Sequence, residues 1–128
     1  NDAKPKWVLQ KGKDAVLEVL AADPGRRMAD VTVACFGLSF KPNIDDLRES
    51  PALEITQDIG KLGCQVLVVE PHIDSLPHSF ADLPVRLVDI DAALAADVIC
   101  ILVKHDAFRD LGEMIPAQAK LIDVVGLT

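Results

Sequence analysis

Val31-Thr32-Val33-Ala34-Cys35-Phe36-Gly37-Leu38-Ser39-Phe40-Lys41-Pro42-Asn43-Ile44-Asp45-Asp46-Leu47-Arg48-Glu49-Ser50-Pro51 is the stretch that decides the fold. It opens with an apolar run, Val31 to Phe36, that shows no period-2 alternation, the pattern of a strand covered on both faces. It closes with Ser50-Pro51, a helix-opening pair in which Ser caps and Pro occupies the first turn. What lies between is therefore a strand-to-helix loop. In open α/β sheets such loops sit at the carboxyl edge of the strands, where ligands bind. Gly37 begins the turn, but no GxGxxG follows, so the standard dinucleotide fingerprint is missing.

Downstream of Pro51, Leu53, Ile55, Ile59 and Leu62 give the helix a core-facing stripe, and Gly63 ends it as a left-handed cap. Gln65 to Val69 reads as the second strand, stopped by Glu70-Pro71. From His72 to Pro84 the chain is polar and proline-punctuated, an irregular crossing with at most a short helical turn. Val85-Arg86-Leu87 is a short strand, and Asp89 to Ala96 a small Ala-rich helix. Val98 to Val103 is the next buried strand, Asp106 to Leu111 a helical turn, and Lys120 to Val124 the last strand. Five strands alternating with helical crossovers predict an α/β, doubly wound, Rossmann-like parallel sheet of order 3-2-1-4-5.

Upstream of Val31, Val8, Ala15, Val16, Val19 and Leu20 place one apolar face on a helix from about Pro5 to Ala22. Asp23-Pro24-Gly25-Arg26-Arg27 breaks it and reads as a linker. A helix ahead of the first strand is an appendage to the α/β unit, of the kind that packs against another domain or subunit.

The 128 residues make one domain's worth of chain, and the 50% apolar content makes it globular. With four Phe, one Trp and no Tyr, the core must be aliphatic. A net charge of −7 argues against a phosphate-tracking nucleic-acid surface. Any anion site must be local. Between Met28 and Val103 the basic residues are Lys41, Arg48, Lys61 and Arg86, against twelve Asp or Glu, so the loop after the first strand is the most electropositive place in mid-chain. Cys35, Cys64 and Cys100 show no CxxC spacing and are expected to be plain reduced thiols, in line with a cytoplasmic protein. No apolar run approaches the roughly 20 residues that span a bilayer, and no signal peptide is visible. The chain begins with Asn1, not Met, as a piece of a longer protein would.

At the shared carboxyl edge, Lys41 offers a point charge, Arg48 a planar fork, and the helix opening at Ser50 free N–H groups; together they suit a diphosphate. The same two cations could instead pair with Asp45, Asp46 and Glu49 as a surface network. Glu70 stands where a ribose-binding acid would sit, and the plainer reading is an exposed acid before Pro71. His72, His78 and His105 lack metal-ligand spacing and read as solvent-facing. Asp45-Asp46 reads as caps or salt-bridge partners, not as a metal site. No catalytic set can be assembled from these residues, so taken by themselves they identify a binding domain.

The ungapped pattern G-L-x-F-K-x-x-x-D-D-x-R-x-S-P, from Gly37 to Pro51, resembles the UDP-glucose/GDP-mannose dehydrogenase family, in its C-terminal UDP-binding domain. The fuller string F-K-P-N-I-D-D-L-R-E-S-P-A looks most like the bacterial branch that makes UDP-N-acetyl-D-mannosaminuronate. The likeness continues through Val68-Val69-Glu70-Pro71, Ala96-Asp97-Val98 and Asp123 to Gly126, and Asn1 to Pro5 resembles the end of the family's central helix. The resemblance implies residues 1–27 as the end of that linking, dimerising helix and residues 28–128 as the UDP-binding domain. It implies a two-step, NAD-dependent oxidation of a sugar C6 alcohol to a carboxylate, for surface polysaccharide synthesis, through a thioester on a cysteine. Phe40 and Lys41 carry over as nucleotide-sugar contacts and Arg48 as an NAD contact. The partners implied are a UDP-sugar, the protein's own N-terminal catalytic domain and a second copy in a homodimer, with neither nucleic acid nor membrane. Two departures stand out: the NAD domain with its catalytic cysteine is absent from this chain, and Val125 stands where the family usually carries a basic residue, leaving a third positive contact to UDP without a residue. The fragment is accordingly expected to be inactive alone. The alternative is a stand-alone nucleotide- or anion-binding, or regulatory, α/β module.

Overall fold

A computed structural model describes residues 3–127, with side chains from Pro5 onward. Asn1 and Asp2, part of the stretch likened to a central helix, and Thr128 lie outside the described residues. Helix α1 spans Ala3–Ala22, strand β1 Thr32–Phe36, helix α2 Pro51–Gly60, β2 Gln65–Val69, β3 Val85–Leu87, the short α3 Ile90–Ala93, β4 Val98–Ile101 and β5 Lys120–Asp123. Single 3₁₀ turns at Met28–Asp30, His78–Phe80, Asp106–Phe108 and Leu111–Glu113 complete the order. All pairings are parallel and the sheet runs β3-β2-β1-β4-β5, the predicted order.

The non-alternating strands make sense because each face of the sheet has its own core. Val33 and Cys35 of β1, Val66 and Val68 of β2, and Val98 and Cys100 of β4 point to the face covered by α1 and α2, through Val8, Val16, Ile55 and Ile59. Ala34, Phe36, Leu67, Val69, Ile99 and Ile101 point the other way, onto α3 and the turns carrying Phe108 and Leu111. Burying a valine such as Val8 or Val16 contributes roughly 1.5–2 kcal/mol, which fixes the inner face of α1 to the sheet. Between β4 and β5 the crossover is made of 3₁₀ turns in place of a full helix.

Arg26, read from sequence as linker, fastens that helix to the sheet. Its guanidinium grips Asp97 with two hydrogen bonds, Nη1 to Oδ1 at 3.0 Å and Nη2 to Oδ2 at 2.6 Å. Asp97 Oδ2 also accepts from Thr32 N at 2.9 Å and Thr32 Oγ1 at 3.1 Å. The amino ends of β1 and β4 are thus held together by one carboxylate. Partial burial raises the Asp97 carboxyl, but Arg26 and the Thr32 N–H outweigh it and hold it below the ordinary value.

Candidate functional site at the carboxyl edge of strands β1 and β4

The strand order reverses between β1 and β4, and the loops leaving these two strands meet at that point. Gly37 makes the meeting possible. It has φ +100°, and a Cβ there would lie 2.5 Å from Val103 Cβ and 2.9 Å from Val103 N, so only glycine lets the loop pass the chain continuing from β4. That chain stays in register with β1, as Leu102 N donates to Phe36 O at 2.9 Å.

Beyond Gly37 the loop wraps a buried carboxylate. Glu70 follows the last residue of β2 and is 3% exposed. Its Oε1 accepts from Leu38 N at 2.9 Å, Ser39 N at 3.1 Å and His105 Nε2 at 2.8 Å, and its Oε2 accepts from His72 N at 3.1 Å. Burial pushes this carboxyl up, but the His105 hydrogen bond and the N–H groups of Leu38 and His72 prevail, leaving it below the ordinary carboxylate value. The expectation of an exposed acid before Pro71 is therefore corrected. Glu70 is a buried acceptor because the loop brings it two backbone N–H groups, its own chain a third at His72, and the chain after β4 an imidazole.

His105 is likewise 1% exposed, not solvent-facing as expected, whereas His72 and His78 are exposed. Its Nδ1 accepts from Asn43 N at 2.8 Å, which leaves the ring proton on Nε2, facing Glu70. Ser39 Oγ lies 3.3 Å from the same Nε2 and donates to Lys41 O at 2.7 Å. Asn43 sits at φ 63° and its Oδ1 accepts from Asp106 N at 2.8 Å. The Lys41-bearing segment is therefore tied to the chain after both β2 and β4. Glu70, His72 and His105 also bring ligand-type atoms within 4.8 Å of one another, a juxtaposition that spacing in sequence did not reveal. Both ring nitrogens of His105 and both oxygens of Glu70 are already engaged, so the cluster is a hydrogen-bond frame for the loop.

Ser50 closes the loop as predicted. Its Oγ accepts from Leu53 N at 3.3 Å, capping α2, and donates to Leu38 O at 2.8 Å. Phe40 N donates to Asp46 O at 2.8 Å, bracing the loop internally. Phe40 itself is 48% exposed, and Lys41 Nζ lies 5.7 Å from its ring centroid, in pair with no described carboxylate. Arg48 behaves differently. Its side chain is 89% exposed and forks onto Asp46, Nε to Oδ1 and Nη2 to Oδ2, each at 3.1 Å. Of the two cations, Arg48 thus joins the surface network and Lys41 does not. A cleft of about 280 Å³ opens beside the loop, lined by Ser39, Phe40, Pro42, Val103, Lys104 and Val125 among others. This is near the small end of ligand pockets, roughly 300–1,000 Å³.

Residues 34–128 match the UDP-glucose/GDP-mannose dehydrogenase family, UDP binding domain. The chain belongs to that family. It is 47% identical over 129 residues to UDP-N-acetyl-D-mannosamine dehydrogenase of Salmonella typhi, covering 99% of this chain and 30% of that protein. It is 46% identical over 130 residues to NDP-N-acetyl-D-galactosaminuronic acid dehydrogenase of Ralstonia nicotianae, covering 99% of this chain and 28% of that one. Among solved structures it resembles NDP-N-acetyl-D-galactosaminuronic acid dehydrogenase from Methanosarcina mazei Go1, with a TM-score of 0.68, 26% identity and coverage of 97% of this chain and 26% of the other. The chain spans less than a third of the length of the curated relatives it matches.

The family takes its name from dehydrogenases, yet the described residues do not form a dinucleotide cradle. The loop after β1 has no glycine run, and Glu70, at the ribose-acid position, is fully occupied. The thiols are equally unsuited to covalent work. Cys35, Cys64 and Cys100 are free and have no exposed surface. Burial raises Cys64 to about 11, and contact with Cys35 together with burial raises Cys100. Nucleophilic thiolate is therefore not available from Cys64 or Cys100 at neutral pH, and burial closes Cys35 off from any substrate. No helix among the described residues is long and apolar enough to cross a membrane.

Proposed function

We propose that this chain is the UDP-sugar-binding part of a cytoplasmic, homodimeric, NAD-dependent nucleotide-sugar 6-dehydrogenase that makes a uronic acid from UDP-N-acetyl-D-mannosamine. Residues 1–27 end a linking helix in this reading, and residues 28–128 receive the nucleotide. Phe40 and Lys41 face the nucleotide sugar, while Arg48 reaches an NAD molecule held by a separate catalytic domain. The observation that carries the reading is the Gly37–Pro51 loop, framed by Glu70 and His105 at the β1/β4 switch point, in a chain matching the family's UDP-binding domain. The small cleft supports a division of labour, since it suits part of a nucleotide sugar and leaves the rest to be enclosed by another domain. The exposed fork of Arg48 suits a contact outside this domain.

The test is to express the longest reading frame that carries this chain and follow NADH formation with UDP-N-acetyl-D-mannosamine, UDP-N-acetyl-D-galactosamine and UDP-glucose. The mannosamine sugar should be turned over fastest, with two hydride transfers per sugar, and the 128-residue chain alone should be silent. Preference for another sugar would overturn the substrate assignment, and absence of NADH with all three would overturn the dehydrogenase reading. Light scattering on the same protein should give a dimer.

A further inference from the structure

Among the described residues lining the β1/β4 cleft, Lys104 is the only charged side chain. Lys41, the loop cation singled out by the sequence, is not among them and lies against the Phe40 ring. Lys104 is exposed and takes part in no described ion pair or side-chain hydrogen bond. The backbone around it is fixed all the same. Val103 N donates to Phe36 O at 3.3 Å, His105 is buried against Glu70 at 2.8 Å, and Asp106 N donates to Asn43 Oδ1 at 2.8 Å. An unpaired ammonium thus stands on a rigid rim, over walls made by Phe40, Pro42, Val103 and Val125. Against such apolar walls the attraction of an ammonium for a phosphate is less screened than in bulk water.

We infer that Lys104 is the phosphate-gripping residue of this cleft, taking the diphosphate of a nucleoside diphosphate whose ring system packs on the apolar walls beside Phe40. The inference rests on the UDP-binding reading and deepens it: the anion anchor is supplied by the chain leaving β4 as well as by the loop leaving β1. A lysine suits this position because its ammonium is a compact point charge with three donors, able to serve two phosphate groups without a fixed plane.

Calorimetric titration of UDP and of uridine into the longest reading frame carrying the chain, as wild type, Lys104→Ala and Lys104→Arg, tests the assignment. Circular dichroism of each variant checks that the fold is kept. The expected result is UDP binding weakened about tenfold or more in Lys104→Ala, the loss of one charge-assisted contact, with uridine binding unchanged and UDP binding largely restored in Lys104→Arg. The salt dependence of UDP affinity should also become shallower in Lys104→Ala. Equal UDP affinity and equal salt dependence in wild type and Lys104→Ala would overturn the assignment while leaving UDP binding intact. Failure of the wild type itself to bind UDP would overturn the reading beneath it, and the two failures are told apart by the wild-type titration.

Discussion

Removing the Glu70 carboxylate should loosen the loop before it unfolds the sheet. In Glu70→Ala, Leu38 N, Ser39 N and His105 Nε2 all lose their acceptor in a buried setting. Each stranded donor costs about 1–3 kcal/mol, and removing one partner of a buried pair costs about 3–5 kcal/mol in all, because the loop can shift and admit water. Glu70→Gln with its carbonyl oxygen at the Oε1 position keeps the acceptor for Leu38, Ser39 and His105 and turns its amide toward His72 N, for a cost of roughly 1–2 kcal/mol. Urea unfolding gives the totals, and amide hydrogen exchange localises them: protection at Leu38, Ser39 and Asn43 should fall well before that of β1 or β2. The wild type also carries a pH signature. Because the folded carboxyl lies below its ordinary 4.5, its stabilisation is complete above that value and is lost as pH falls through the folded value. Glu70→Gln should lack this part of the acid limb. Both variants unfolding within 0.5 kcal/mol of wild type (a difference of roughly the size seen for surface substitutions), with unchanged exchange in the loop, would refute the idea that this carboxylate frames the site.

Gly37→Ala should destabilise by at least about 3 kcal/mol, from positive φ combined with backbone collision, whereas Gly126→Ala, at φ +71° with nothing within 4 Å, should cost only about 1 kcal/mol; thermal melts of the pair separate collision from conformation. Ser50→Ala removes both the α2 cap and the bond to Leu38 O and should cost about 1–2 kcal/mol in urea unfolding. The three thiols, having no exposed surface, should react with a thiol reagent only as fast as the protein opens, so that rates match those of global unfolding and accelerate in denaturant.

Much of the frame was legible because it depends on neighbours in sequence. The run Val31 to Phe36 lacks alternation because Val33 and Cys35 serve one core and Ala34 and Phe36 the other. Ser50-Pro51 opens α2 through local hydrogen bonding alone, and the crossover rules then order the strands. The polar frame was not legible. Glu70 and His105 are 35 residues apart and meet only because β2 and β4 both flank β1. A carboxylate before proline ordinarily ends a strand in solvent, and nothing local shows that another loop will deliver N–H groups to it. Arg26 and Asp97 escape for the same reason, being 71 residues apart. A weak signal did exist at His105, which lies between the buried run ending at Val103 and the buried Phe108, a stretch where a ring has little chance of reaching water.

Where the nucleotide sits is the central question. Titrating UDP into isotopically labelled chain and following its backbone amides answers it directly. Saturable shifts confined to Ser39, Phe40, Lys41, Val103, Lys104 and Val125 are the predicted result, and the absence of shifts there, or shifts confined to the opposite hollow beside Val88 and Met114, would contradict the placement of the site at the β1/β4 edge.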